Sequence, residues 1–312
     1  MHLGSISPTL AAVVLNWNHT HDTIACVKRL QAWENPPLVW VADNGSSGDA
    51  AEQLQQELPE AHILLNKANL GFGGGNNAAL VEVLAEWHKT QYPNYVLLLN
   101  NDAVLTESTA QQLLDVMQTQ PRIALLGTVI ADTALTHAGG TLLTYGGKDV
   151  VRWIDTRHHT PPNATEDEIA NMFYVPATAA ILRTQALAQV GLLDTDYFFN
   201  VEMADWCARA RALGWRTCVH LGTRISHDVQ RSGSARHGLH LYYNVRNRFL
   251  FLHKQPHAHK TAWRLMWVWR AFYAAMTALV TGQWPRTRVL LLALRDGLAG
   301  KTGMAPAWLQ PK

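Results

Sequence analysis

At 312 residues, with 48% hydrophobic and 16% charged side chains, the chain can bury a full core and is too apolar to be disordered. Its formal net charge of +2 and the lack of any Lys/Arg run argue against a nucleic-acid-binding surface, so any anion must be met locally. Cys26, Cys207 and Cys218 have no CxxC spacing, which argues against a disulfide framework or zinc site and for a reducing compartment; no basic-then-apolar leader is seen, and a cytoplasmic location is expected.

Short apolar runs alternating with amphipathic stretches open the chain, the pattern of βα units in a mainly parallel sheet. Strands are expected at Ala11–Leu15, Leu38–Ala42, His62–Leu65 and Tyr95–Leu99, with helices at His21–Trp33, Asp49–Leu58 and Gly75–Lys89 closing right-handed crossovers. A helix at Gln111–Gln120 and a strand at Ile123–Ile130 follow, and the Gly-, His- and Pro-containing stretch from Thr133 to Asn171 reads as loops and short strands. Phe173–Arg183 reads as a strand with Pro176 at an edge or bulge, leading into helices at Gln185–Val190 and Glu202–Leu213, the second stopped by Gly214. After a strand at Arg216–Leu221 the chain turns helical at His237–His253 and stays so, with breaks near Gln255-Pro256 and Trp284-Pro285. The fold class is therefore α/β, with one doubly wound domain over residues 1–255 and a helical tail over 256–312.

Polar clusters follow the apolar runs: Asn16-Trp17-Asn18, Asp43-Asn44-Gly45-Ser46-Ser47 and Asn100-Asn101-Asp102. Ligands of open α/β sheets bind outside the carboxyl ends of strands, so these clusters describe one crevice. Asp43 can accept hydrogen bonds from a ribose or a base N–H, or form an Asx turn that caps the next helix. The cluster Asn69-Leu70-Gly71-Phe72-Gly73-Gly74-Gly75-Asn76-Asn77 opens a helix, where backbone N–H groups favour anions and glycines admit a nucleotide. It carries GxGxxN after the third strand rather than GxGxxG after the first, which argues against a nicotinamide-dependent oxidoreductase.

Leu97-Leu98-Leu99-Asn100-Asn101-Asp102 ends an apolar strand in amides and an acid. A hard divalent cation takes oxygen ligands and keeps substrate phosphates in its shell, so Asp102 can suffice as protein carboxylate, with Asn100 acting directly or through water. The plainer alternative is a helix cap before Thr106. In the segment Phe198–Cys207, Glu202 and Asp205 stand three apart and share a helix face, with Met203 rotated away; acids favoured by a helix dipole give the same pattern. His227, one of 15 histidines, follows an apolar strand and is a further candidate metal ligand or phosphate contact. Loose clusters at Arg224, Arg231, Arg236 and at Arg246, Arg248 suit phosphates through the guanidinium fork, or form a solvated face.

Taken in order, VVLNWN, DNGSS, NLGFGGGNN, LLLNND in place of a DxD motif, FFNVEMADWCARARALGW and YYNVRNRFLF resemble the family 2 glycosyltransferases of GT-A fold, especially the bacterial rhamnosyltransferase-like branch, over roughly residues 10–255. The resemblance implies a UDP-, dTDP- or GDP-sugar donor, with Asn16, Asp43 and Asn44 near the nucleoside, Asn69, Gly71 and Asn76 beside it, and Asn100 and Asn101 also at the donor. It implies Mg²⁺ or Mn²⁺ held against the diphosphate by Asp102, with His227 completing that site. Transfer would be inverting, to a glycan or lipid-linked acceptor in cell-surface polysaccharide synthesis. The family has Glu-Asp where this chain has Glu202-Met203, and a thioether accepts no proton. A carboxylate of the same turn is then expected as the base, Asp205 ahead of Glu202 because it matches an acidic position of the family pattern. A non-catalytic sugar-nucleotide or glycan-binding module would account for Met203 directly.

In the tail, Ala262–Val280 is interrupted by Arg264 and Arg270, leaving only Ala271–Val280 without charge, too short to span a bilayer. Trp263, Trp267, Trp269 and Trp284, interleaved with Arg, suit a helix lying on the inner membrane surface, or one packed on the catalytic domain or on a second subunit of a homo-oligomer.

Overall fold

The computed structural model describes residues 10–131, 136–137, 169–227, 235–256 and 259–310. Its strands are β1 (Leu10–Asn16), β2 (Leu38–Asp43), β3 (His62–Leu65), β4 (Tyr95–Asn100), β5 (Ala103–Val104), β6 (Ile123–Ala131), β7 (Thr136–His137), β8 (Ile169–Asn171), β9 (Ala179–Arg183) and β10 (Arg216–His227). They form one sheet in the order β3-β2-β1-β4-β9-β6-β10-β5, with β7 beside β6 and β8 beside β10. β1 to β4 pair in parallel, as do β6 and β10, while β9 runs antiparallel between β4 and β6.

Helices α1 (Thr20–Gln31), α2 (Ala50–Glu57), α3 (Gly71–Thr90), α4 (Glu107–Thr119), α5 (Thr184–Val190) and α6 (Glu202–Ala212) cover the two faces. A parallel strand buried on both sides needs apolar residues in both alternating sets, and β1 has them. Leu10, Ala12 and Val14 face Cys26, Val27 and Leu30 of α1, Leu54 of α2 and Leu113 of α4. Ala11 and Val13 face Ala79, Leu80 and Val83 of α3, Ala186 and Leu187 of α5, and Trp206 of α6. Each such leucine or valine contributes about 1.5–3 kcal/mol on leaving water. The chain steps outward from β1 to β3 with α1 and α2 on one face, then returns to β4 on the other side of β1 with α3 on the opposite face. Uniformly handed crossovers produce that reversal, and it opens a crevice at the carboxyl ends of β1 and β4.

Several boundaries move from those the sequence pattern suggests. α3 starts at Gly71, four residues earlier than Gly75, although glycine costs a helix about 1 kcal/mol. Tertiary contact overrides propensity there: a Cβ on Gly75 would lie 2.5 Å from Leu15 Cδ1, and one on Gly74 2.8 Å from Leu70 Cβ. The strand expected at Phe173–Arg183 is confined to Ala179–Arg183, so Pro176 lies ahead of it. β10 runs on to His227, past an irregularity between His220 and Arg224, and pairs with β5. Most of the stretch expected as loops from Thr133 to Asn171 lies outside the described residues.

The last three helices, α7 (Ala235–Lys254), α8 (Lys260–Val280) and α9 (Trp284–Leu298), pack together beside the α6 turn. Gly297 of α9 lies so close to Phe249 of α7 that a Cβ would sit 2.7 Å from the ring. Tyr242 donates its hydroxyl to buried Asp296 at 2.9 Å, and the Ala305 N–H reaches the Tyr243 hydroxyl at 2.7 Å. The four tryptophans expected at one surface are divided: Trp267 is buried and Trp263 half-buried, whereas Trp269 and Trp284 are exposed. Among the described residues no helix is long and apolar enough to cross a membrane.

Candidate active site

The clusters at the ends of β1 and β2 meet through their side chains. Asn16 donates to Asp43 Oδ1 at 2.7 Å and accepts from the Thr23 hydroxyl at 2.7 Å. Asp43 Oδ2 takes the Ser46 N–H at 3.1 Å, so the Asx turn exists, but it does not cap α2, whose N-cap residue is Asp49 and which has no side-chain cap bond. Asn44 donates to Asn69 Oδ1 at 3.0 Å and to the Gly71 carbonyl at 3.1 Å, and accepts from Leu70 N–H at 3.0 Å. Asn16, Asp43, Asn44 and Asn76 are buried, so these amides and this acid brace the crevice floor, while half-buried Asn69 borders open space. A cavity of about 130 Å³ lies there, lined in part by Leu15, Trp17, Asn69, Phe72, Phe198 and His240.

The glycine cluster does different work from the anion cradle its composition suggests. The Gly71 N–H bonds Asn69 Oδ1 at 2.8 Å and the Phe72 N–H bonds the Phe198 carbonyl at 2.7 Å, so the first two N–H groups of α3 are committed within the protein. Gly71 has φ of 76°, and a Cβ there would fall 2.1 Å from Phe198 O. Only glycine allows the two backbones this approach.

At the end of β4, Asn101 donates to the Thr23 hydroxyl at 2.9 Å and Asn100 lines a second cavity. Asp102 is half-buried in the turn to β5. It caps no helix, because Thr106 itself caps α4, its hydroxyl accepting from Thr109 N–H at 3.2 Å. The β5–β10 ladder sets His227 opposite Ala103, next in sequence to Asp102; the His227 side chain lies outside what is described. Among the described residues no group of three or more His, Cys, Asp and Glu is placed to hold a metal.

The two acids of α6 prove unlike. Asp205 is 1% exposed and accepts from Tyr197 Oη at 3.1 Å, Arg209 Nε at 2.8 Å and Gln255 Nε2 at 2.6 Å. Three donors from three segments make Asp205 a structural node. Glu202 lines the second cavity, of about 190 Å³, with Asn100, Tyr174, Thr178 and Asn200, and its Oε2 has no hydrogen-bond partner. Burial pushes its carboxyl up to about 7, while backbone hydrogen bonds from Glu202 and Asn200 pull the other way. Met203 is 3% exposed and belongs to the sheet core.

The family model described as glycosyl transferase family 2 matches residues 12–188, more than half of the chain. The chain belongs to glycosyltransferase family 2. It is 25% identical over 284 residues to the N-acetylglucosaminyl-diphospho-decaprenol L-rhamnosyltransferase of Mycobacterium tuberculosis, in both strain CDC 1551 / Oshkosh and strain ATCC 25618 / H37Rv, across 85% of this chain and 91% of that protein. Its fold is shared with a mannosyltransferase, PcManGT from Pyrobaculum calidifontis, solved with GDP-Man and Mn²⁺ (TM-score 0.59, 14% identity, 94% of this chain and 88% of that one). GalNAc-T7, solved with UDP, GalNAc and Mn²⁺, shares it as well (TM-score 0.58, 11% identity, 86% and 50%). The GT-A expectation for the sheet is thus met.

In this glycosyltransferase the Glu202 turn is held from α7 by residues whose role the sequence did not announce. Phe198, Asn200 and Val201 have φ of 63°, 63° and 78°, a left-handed run that is costly for β-branched Val201. Asn247 Nδ2 donates to the carbonyls of Tyr197, Phe199 and Asn200 at 3.0, 2.7 and 2.9 Å. Arg246 donates to Asn247 Oδ1 at 2.8 Å, to Tyr197 O at 2.7 Å and to Gly303 O at 2.5 Å. Both side chains are fully buried, so Arg246 is neither a phosphate ligand nor part of a solvated face. Arg224 is exposed, while Arg231 and the side chain of Arg236 lie outside the described residues. The available signal was YYNVRNRFLF itself, whose Arg and Asn sit within a strongly apolar helical stretch, a pattern that marks paired buried polar groups.

Proposed function

We propose that this glycosyltransferase moves a sugar, with inversion, from a UDP-, dTDP- or GDP-sugar to a hydroxyl of a glycan or lipid-linked acceptor in cell-surface polysaccharide synthesis, with Glu202 as general base. The observation that carries the reading is Glu202 beside a cavity shared with Asn100, with its buried Oε2 unpartnered and burial raising its carboxyl to about 7. Such a group takes the acceptor's proton while the freed oxygen attacks the anomeric carbon and the bond from that carbon to the diphosphate breaks. The sugar then occupies the space between Asn100 and Glu202, and the nucleoside the cavity beside Trp17 and Asn69. Asn16, Asp43, Asn44, Gly71 and Asn76 shape that cavity from behind, and Asn101 steadies the β4 end.

Asp102 at a strand end, with the Asn100 amide and the His227 position one step along the ladder, fits a hard cation such as Mg²⁺ or Mn²⁺. When bound it would neutralise charge on the leaving diphosphate. The name of the mycobacterial relative specifies L-rhamnose and a diphospho-decaprenol substrate, which supports a deoxyhexose donor and a lipid-linked acceptor here. Such an acceptor places the protein in the cytoplasm at the inner face of the membrane, with residues 1–255 catalytic and 256–312 a bracing tail. The experiment is thermal shift against a panel of nucleotide sugars with and without Mn²⁺, paired with nucleoside diphosphate release for wild type and Glu202→Gln. The variant should keep the donor-induced shift and lose release by about 10³-fold. Unaltered release would remove Glu202 as base. The second reading, a binding module, is favoured by buried Met203 where the family resemblance leads one to expect an acid; it requires donor shifts with no release in any acceptor mixture.

A further inference from the structure

The formal charge of +2 conceals an asymmetry: residues 229–295 hold eleven Lys and Arg and no Asp or Glu, so the rest of the chain is net acidic. That basic stretch contains α8, which is apolar on two sides. Trp267, Ala271, Ala275 and Ala278 face the protein, whereas Leu265, Trp269, Phe272, Tyr273 and Val280 follow a helical repeat on the outside, each at least half exposed. Trp284, at the start of α9, extends the outer stripe and is 63% exposed. A helix with apolar residues on both sides must find a second covering.

Beside the stripe, where α8 turns into α9, lies an open cleft of about 420 Å³. Trp269 and Tyr273 are stacked at 5.6 Å on one wall, and Arg270 and Arg286 enter it from the two helices. Thr277 and Thr281 add hydroxyls; among the described residues Arg286 makes a long 3.4 Å contact to Gln283. Aromatic rings with a polar edge beside guanidinium groups are the composition that settles at a headgroup boundary, and two guanidiniums facing one cleft match a phosphate's oxygens. The acid-free stretch around them is complementary to an anionic surface.

We propose that α8 docks this protein on an anionic phospholipid surface, with a lipid phosphate held between Arg270 and Arg286 and the Leu265-Trp269-Phe272-Val280 stripe lying among the acyl-chain ends. The inference rests on the membrane reading given under Proposed function and names the surface and the headgroup contact.

The test is flotation of the full chain with vesicles of phosphatidylcholine alone and of phosphatidylcholine mixed with phosphatidylglycerol, for wild type, Arg270→Gln/Arg286→Gln and Trp269→Ser/Phe272→Ser, each checked for unchanged melting temperature and sedimentation. Wild type should float with the anionic vesicles. The arginine pair should weaken that by about thirtyfold, the effect of two basic residues at an anionic surface. The aromatic pair should lower binding to both vesicle types. Equal flotation of wild type and the arginine variant would overturn the headgroup cleft and leave the membrane reading standing. Failure of wild type to float on either would overturn both, and a wild-type dimer dissolved by Trp269→Ser/Phe272→Ser would show that a second copy covers the face instead.

Discussion

The crevice at the strand ends and the turn that carries Glu202 border the same active-site region but are positioned by different physics. Asn16, Asp43 and Asn100 are the last residues of buried parallel strands, so a regular ladder sets their places and short side-chain bonds finish the job. Glu202 follows a turn with positive φ at Phe198, Asn200 and Val201, none of them glycine, and stays in place because Asn247 and Arg246 bind the carbonyls of that turn from a helix some forty residues on. Strand ends are cheap, robust positions for recognition. The strained turn, over-determined by buried donors, is where a carboxyl is kept desolvated with one oxygen unpartnered, which suits the base proposed for it.

The largest expected effect sharpens this contrast through pH. As the proposed base Glu202 would have to be ionised, so kcat/KM should fall about tenfold per unit below pH 7, reaching about a hundredfold at pH 5. Stability should run the other way. A carboxyl raised from 4.5 to about 7 binds more protons folded than unfolded between those values, so its contribution is present below 4.5 and is lost as pH rises through 7, by about 3 kcal/mol. Comparing urea unfolding of wild type and Glu202→Gln from pH 5 to 8 checks the sign; a wild type that gains relative stability with rising pH would refute it.

Next comes the clamp. Asn247→Ala removes the donor of three buried carbonyls and should cost about 3 kcal/mol in urea unfolding. Below its melting temperature the variant should lose kcat by roughly tenfold or more with KM for donor little changed, because a small displacement of the base weakens catalysis more than donor binding. An equal loss in both parameters would mean that the turn and the crevice are one unit after all.

Asp205→Asn should have the smallest effect on chemistry. It breaks the ion pair of buried Asp205 with part-exposed Arg209 and loosens the Tyr197 and Gln255 contacts, at about 3 kcal/mol of stability, but folded protein should turn over within about tenfold of wild type with the acid limb unmoved. A folded but inactive Asp205→Asn would restore Asp205 as the base.

The two regions also differ in how far they could be read without coordinates. His62–Leu65 was delimited to the residue although none of it is fully buried, and β1, β2 and β4 to within one residue at each end, because runs of buried apolar residues flanked by turn formers leave those three few alternatives. The polar clusters after those strands were read as one crevice on topology alone, and they meet. The glycine cluster misled, since a composition suited to phosphate is equally suited to a 2.7 Å backbone contact with a segment far along the chain. The Trp-rich helix was half legible: its periodicity told that it is amphipathic, and not which stripe packs inward.

Local pattern determined the α/β class, the strand ends and the residue types at the candidate site, because alternation, turn chemistry and apolar run length act over a few neighbouring residues. Only tertiary structure decided which of two acids in one helical turn is paired and which is left to face a cavity. Burial and hydrogen-bond partners of Glu202 and Asp205 come from Tyr197, Arg209, Gln255 and the α7 clamp, and long-range packing chose them where one-dimensional spacing treated the two alike.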